Sequence, residues 1–275
     1  MALPKILVAG LLLAALPVAV RAAEPPAWVE PMKKVHADFK GTPGTLAHFG
    51  DSITVTQAFW TPLLYEPKKM SPEMSKARDA VKEFLKKECW RDWRGADYGS
   101  EGGMTIRWAD DNVDKWLKKL NPEVVVIMFG TNDLTSVPLD EYEKKTRSVV
   151  ERCLKNGSVV ILTTIPPRSG QVEKSKQYAD AQRKIAKDLK LPLIDYQAEI
   201  LKRRPDDWDG ALAKFKDSPG DEYQVPTLIA RDGVHPSNSS KFNEYSEEGL
   251  NNNGYALRTY LTLMTYNDVL QKVLE

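Results

Sequence analysis

The sequence predicts an α/β domain built on a parallel β-sheet, and three observations point to it. Largely apolar runs at residues 45–49, 123–129 and 159–164, the second rich in β-branched residues, have the pattern of strands buried on both faces. Longer segments with charged faces alternate with them and end on helix-stop signals such as Asn121-Pro122 and Asn156-Gly157. Small polar residues stand directly after two of the runs, Ser52 beyond the first and Asn132 beyond the second. Such alternation implies right-handed crossovers, and in these sheets ligands bind at the carboxyl ends of the strands.

At the N-terminus, Lys5 precedes an apolar stretch at residues 6–20, followed by Val20-Arg21-Ala22-Ala23. A basic residue, a short apolar core and small residues before a cleavage point predict a secretory signal peptide, cleaved after Ala22 or else after Ala23. The stretch is short for a membrane span and Pro17 interrupts it. Residues 1–22 are therefore expected to be removed, leaving an exported protein, periplasmic or extracellular, with no stable membrane anchor. Residues 23–44, with Pro25-Pro26, Pro31 and Pro43, are expected to be an extended lead-in. After the first strand, the patterning predicts a helix over 71–87, a short strand ending near Tyr98, and a helix over 109–120. Next come the 123–129 strand, a helix over 139–155, the 159–164 strand, a helix over 173–189, a short strand at 192–195 and a last helix over 254–273. The acidic cluster Asp206-Asp207-Trp208-Asp209 lacks the spacing of a calcium loop and is expected to start a helix. No repeat or composition break divides residues 45–275, which are expected to form one domain.

A chain of 275 residues can bury one sizeable core. Its formal net charge is +1. Signal cleavage takes Lys5 and Arg21 from the 39 basic residues and leaves 37 against 38 acidic ones. No basic face or arginine-rich tail marks a nucleic-acid partner. Cys89 and Cys153 either pair in an oxidising compartment or lie separately as small buried residues; the sequence leaves both open. Neither has a cysteine or histidine at metal spacing, and no glycine-rich dinucleotide or phosphate loop occurs. No metal or cofactor is expected. The oligomeric state is left open.

Four short segments carry the chemistry: Gly50-Asp51-Ser52, Gly102-Gly103, Gly130-Thr131-Asn132-Asp133 and Asp232-Gly233-Val234-His235. Together they supply a serine, a glycine backbone donor, an amide and an Asp/His pair, the parts needed to attack an ester carbonyl and hold the resulting oxyanion. Each has a plainer role: Ser52 as a helix cap, Asn132 as a turn residue, the glycines as a flexible turn. Among the three histidines, His36, His48 and His235, only the last follows a carboxylate by three residues in a Gly- and Pro-bounded loop. There Asp232 can orient the imidazole while its other nitrogen faces a hydroxyl. His48, inside the first strand, is expected to be a core residue. Asp51 is expected to be structural, and Asp133 to cap or orient its loop. The Gly-x-Ser-x-Gly elbow of α/β-hydrolases is absent, since Ser100 lacks the first glycine. Trp60 and Trp108 each follow a site segment closely, and are candidates either for stacking on a sugar ring or for the core.

The order and content of these segments resemble the SGNH (GDSL-type) hydrolase family over residues 45–260. That resemblance implies a flavodoxin-like three-layer α/β/α sandwich with a five-stranded parallel sheet. It makes Ser52 the nucleophile, His235 the base and Asp232 its partner. The oxyanion donors would be the backbone N–H of Ser52, a glycine N–H from Gly102 or, matching slightly better, Gly103, and the Asn132 side chain. Two departures stand out: Ile53 replaces the usual Leu, and a long polar insert at 238–253 precedes the closing helix. The resemblance implies a serine esterase, and export, the tryptophans near the site segments and the lack of a long apolar lid in the sequence point to a small-molecule or polysaccharide ester as substrate. O-deacetylation of a carbohydrate is the first expectation. A lipase or lysophospholipase activity, or a non-catalytic carbohydrate-binding protein of the same fold, is the alternative.

Overall fold

In the computed structural model, which describes residues 24–275, four strands pair in parallel in the order β1-β2-β3-β4. They are β1 (Leu46–Gly50), β2 (Val124–Met128), β3 (Val159–Thr163) and β4 (Leu193–Ile194). Leu46 stands opposite Val124, which stands opposite Val159, so the three long strands start level. Every residue of β1, β2 and β3 is buried, as two covered faces require. The predicted signal peptide lies outside the described residues.

The helices are α1 (Val29–Ala37), α2 (Ser52–Val55), α3 (Pro72–Phe84), α4 (Ile106–Leu120), α5 (Asp133–Ser136), α6 (Leu139–Lys155), α7 (Val172–Leu189), α8 (Tyr196–Arg203), α9 (Glu247–Asn252) and α10 (Gly254–Val269). Strand side chains alternate between the two faces. Phe49 points to one, its ring 5.0 Å from Trp116 of α4, and α6 and α7 continue that layer. His48 points to the other, against Phe59 and Trp60, and Trp60 in turn meets Tyr266 of α10. There α3 packs on α10, and α1 packs on the C-terminal turn at Leu270–Leu274.

The expected fifth strand is reduced to one residue. Ser100 bridges Gly50 in parallel beyond β1, with Gly50 N–H donating to Gly99 O at 2.9 Å and Glu101 N–H to Gly50 O at 3.1 Å. Before it, Ala96–Tyr98 makes a 3-10 turn between Gly95 and Gly99, both at positive φ. Gly99 cannot be replaced there, because a Cβ would lie 2.2 Å from the Phe49 ring. The three-layer order survives, with its edge clipped.

Two sequence expectations need correction. Residues 29–37 are helical, not extended: Pro31 falls in the first turn, where its missing N–H costs nothing, and Val29 and Met32 are buried. The segment is fastened by His36, 2.8 Å from Glu123, whose other oxygen accepts Gly44 N–H at 2.6 Å. The acidic cluster at 206–209 is a turn after α8 and starts no helix, with Asp207 paired to Arg204 and Lys214. The insert at 238–253 is partly structured, with a 3-10 turn at Ser240–Phe242 and α9. Cys89 and Cys153 are both buried and unpaired.

Candidate active site

Ser52 sits at the first position of α2, where β1 leaves the sheet. The turn is tight: a Cβ on Gly50 would lie 2.1 Å from Thr54 Oγ1. Asp51 caps the turn, its Oδ1 accepting Ile53 N–H at 3.0 Å, and it is structural as expected. Its Oδ2 is buried without a partner, and burial pushes this carboxyl up to about 6.

Two arginines, unforeseen from the sequence, hold α2 from behind. Arg94 donates to the carbonyls of Thr54 (3.1 Å), Val55 (3.2 Å), Thr56 (2.7 Å) and Phe59 (2.8 Å), and to Thr61 Oγ1 (2.7 Å). Arg258 of α10, 1% exposed, donates to Ile53 O at 2.6 Å and Thr54 Oγ1 at 3.0 Å, and lies 3.8 Å over the Phe59 ring. The orphan carbonyls of this one-turn helix thus end on guanidinium groups. Burial pushes both arginines down to about 10. Arg258 did leave a signal, a lone charge within the otherwise uncharged run 254–266; Arg94 left none.

His235 Nε2 lies 2.8 Å from Ser52 Oγ, and His235 Nδ1 lies 2.5 Å from Asp232 Oδ2. The loop presets this. Asp232 Oδ1 accepts the N–H groups of Val234 (2.9 Å) and His235 (3.0 Å). Gly233 takes φ +69° where a Cβ would lie 2.4 Å from Ser169 Cβ. The two side chains are 24% and 20% exposed for His235 and Asp232. The hydrogen bond that His235 donates to Asp232 raises the His235 pKa above its ordinary value, against the opposing effect of burial. For Asp232, burial pushes upward, but the His235 hydrogen bond and the two backbone donors outweigh it and the carboxyl falls below its ordinary value. Both shifts describe the same coupled pair.

The second and third segments reach the same edge. A Cβ on Gly102 would lie 4.0 Å from Ser52 Cβ, which puts this turn beside the serine. Gly102 N–H meets the Glu101 carboxylate at 3.1 Å. Gly103, at φ +75°, has no hydrogen-bond partner for its N–H among the described residues. Asn132 Nδ2 donates one hydrogen to Met104 O at 3.0 Å, which aligns the amide next to Gly103 and leaves its second hydrogen. Asp133 orients its loop as expected: its Oδ1 accepts Ile106 N–H at 2.9 Å, at the start of α4. Burial, reinforced by the Asp51 charge, pushes Asp133 up to about 7.

Beside Ser52 and His235 is a pocket of about 330 Å³, lined also by Thr56, Tyr223, Asn238 and Tyr255. The Tyr223 ring stands edge-on to His235 at 5.9 Å. Neither tryptophan candidate lies there. Trp60 is 0% exposed and stacks on Trp90 at 5.2 Å, a core residue held at φ +63°. Trp108 packs against Trp116 at 4.6 Å and Phe129 at 6.2 Å. Trp60 fills the interior, and half-buried Trp108 packs against the edge of the core. His48 is a core histidine as expected, lowered in pKa by burial and by Arg94 and Arg258. Among the described residues no cluster of His, Cys, Asp or Glu is arranged to hold a metal ion.

A family model described as GDSL-like lipase/acylhydrolase matches residues 48–239. No curated protein matched the chain in sequence. The lipase/acylhydrolase from Enterococcus faecalis is similar in structure, with a TM-score of 0.51 and 18% identity over 81% of this chain and 94% of that one. The psychrotrophic esterase EstA from Pseudoalteromonas sp. is similar at 0.51 and 16%, over 83% and 99%. At these identities the likeness establishes the α/β/α fold.

Proposed function

The chain belongs to the GDSL-like lipase/acylhydrolase family, and from that premise we propose that it is an exported serine esterase that removes a short acyl group, most simply acetyl, from a carbohydrate. The observation that carries the chemistry is the unbroken chain from Ser52 Oγ through the His235 ring to Asp232, 2.8 Å and 2.5 Å. With Nδ1–H held by Asp232, Nε2 is the free base and accepts the Ser52 proton as Oγ attacks the ester carbonyl. The negative charge that develops on the carbonyl oxygen is met by the N–H of Ser52, the N–H of Gly103 and the second amide hydrogen of Asn132. Collapse of the tetrahedral intermediate breaks the bond to the alcohol oxygen, which takes the proton from His235. Water, deprotonated by the same Nε2, then hydrolyses the acyl-enzyme.

The short-acyl assignment is supported by the surface. Among the described residues the large hydrophobics left exposed are Tyr65, Val172 and Leu212, far apart in sequence and no lid for a long acyl chain. Chromogenic acetate and octanoate esters, followed by acetate release from acetylated polysaccharides, test this directly. Acetate should be turned over faster than octanoate, and a polysaccharide should release acetate. Preference for octanoate would favour a lipid ester, and no turnover of either would favour a binding protein.

A further inference from the structure

We infer that a second cleft, beside the Ser52 pocket and outside the sheet, is a binding site for the alcohol part of the ester, and that this part is a glycan chain longer than one sugar. The inference rests on the esterase assignment above and deepens it. The cleft measures about 920 Å³, nearly three times the Ser52 pocket, and the two share Asp221 and Gln224 in their walls. Between those residues stands Tyr223, whose ring faces His235. The cleft therefore opens on the His235 side of the serine, whereas the oxyanion candidates Gly103 and Asn132 line neither cavity. His235 is the group that returns a proton to the departing oxygen. A group lying toward it is the alcohol, not the acyl chain.

The composition of the cleft says what kind of alcohol. Half-buried Phe215 supplies ring surface, with Lys214 5.0 Å and Arg204 5.7 Å from its ring centre, and buried Phe242, with Lys241 4.9 Å over its ring, backs the cleft. Glu248 and the Gln224 side-chain N–H₂ supply hydrogen-bonding groups around them, while the Asn252 amide is taken up by Arg204 and Glu248 O. Sugars present both kinds of surface, apolar ring faces and a rim of hydroxyls, whereas an acyl chain would leave those polar groups without partners. The cavity is in the size range of sites that enclose whole ligands.

The walls are also built to hold shape. Gln224 Oε1 accepts Ser240 N–H at 2.8 Å, tying the 204–226 wall to the polar insert. Arg231 donates to the carbonyls of Ser218, Gly220 and Asp221, fixing that turn. Arg204 lines the cleft and is held in place by Asp207, Pro226 O and Asn252 Oδ1. A preformed cleft loses less on binding than one that must order.

The test compares the purified protein with Phe215→Ala and, as a second variant on the opposite wall, Lys241→Ala. Three substrates are used: chromogenic acetate, chromogenic octanoate, and O-acetylated xylo- and gluco-oligosaccharides of increasing length. For the unaltered protein KM should fall as the oligosaccharide lengthens. Each variant should raise KM for the longer oligosaccharides by about five- to tenfold and leave both chromogenic esters unchanged. A KM independent of length, with acetate still hydrolysed, overturns the glycan site and spares the esterase. Equal loss on all substrates also overturns it. Failure to hydrolyse even chromogenic acetate removes the esterase assignment, and the glycan site with it.

Discussion

In the proposed mechanism His235 accepts a proton at one nitrogen while the other stays bonded to a carboxylate, and this sets the pH behaviour. Asp232 raises the His235 pKa by stabilising the imidazolium. The base works only when neutral, so activity should rise with pH through a midpoint above the ordinary histidine value near 6.5. Plots of kcat/KM against pH check this; a rate that stays flat into the acid range, in a protein still folded, would remove His235 as base. Asp232→Asn should shift the midpoint down, because the raising partner is gone. Asn132 offers a separate check. Its amide is aligned by Met104 O, and its value as an oxyanion donor is realised in the transition state. Asn132→Ala should lower kcat by about 10²–10³-fold with little change in KM. A turn former alone would instead lower Tm and leave kcat per folded molecule intact. The site was legible at these residues because each is an unusual type at a strand exit or in a Gly-bounded loop. Arg94 was not, since it lies among Trp90, Arg91 and Trp93 with no pattern to mark an inward side chain.

The element that matters most is α2, four residues long. A single turn is too short to be stable alone, so its geometry depends on what binds its far end. Arg94 makes five hydrogen bonds there, four of them to carbonyls. Arg94→Lys keeps the charge but replaces the forked donor with a point. It should reduce both kcat and the rate of fluorophosphonate labelling of Ser52 by about 10–100-fold, with KM for chromogenic acetate nearly unchanged. A labelling rate equal to that of the unaltered protein, at equal folded fraction, would show that α2 does not depend on Arg94. Elements with a continuous apolar run, β2 and β3, were plain in the sequence. Those set by tertiary contacts were hidden: α1 was masked by its prolines, the edge strand collapsed around Gly95 and Gly99, and Trp60 was drawn inward by Trp90.

For the whole molecule, a parallel sheet delivers the exits of β1 and β2, from segments 74 or more residues apart by number, to one edge, and the loop carrying Asp232 and His235 closes over them. That convergence follows from strand order and handedness, which is why segments standing in that order in the sequence meet at one edge. The cleft walls did not follow, because residues 204–226 and the insert at 238–253 are polar chain broken into short 3-10 turns and the six-residue α9, whose contacts no long periodicity encodes. The account's central claim is that Ser52 is the nucleophile. Intact-mass measurement after exposure to a fluorophosphonate, with the modified peptide identified, tests it most directly. The protein should gain a single adduct on Ser52, and Ser52→Ala, equally folded, should gain none. Labelling of Ser52→Ala to the same extent, or a folded unaltered protein that takes no label, would contradict it.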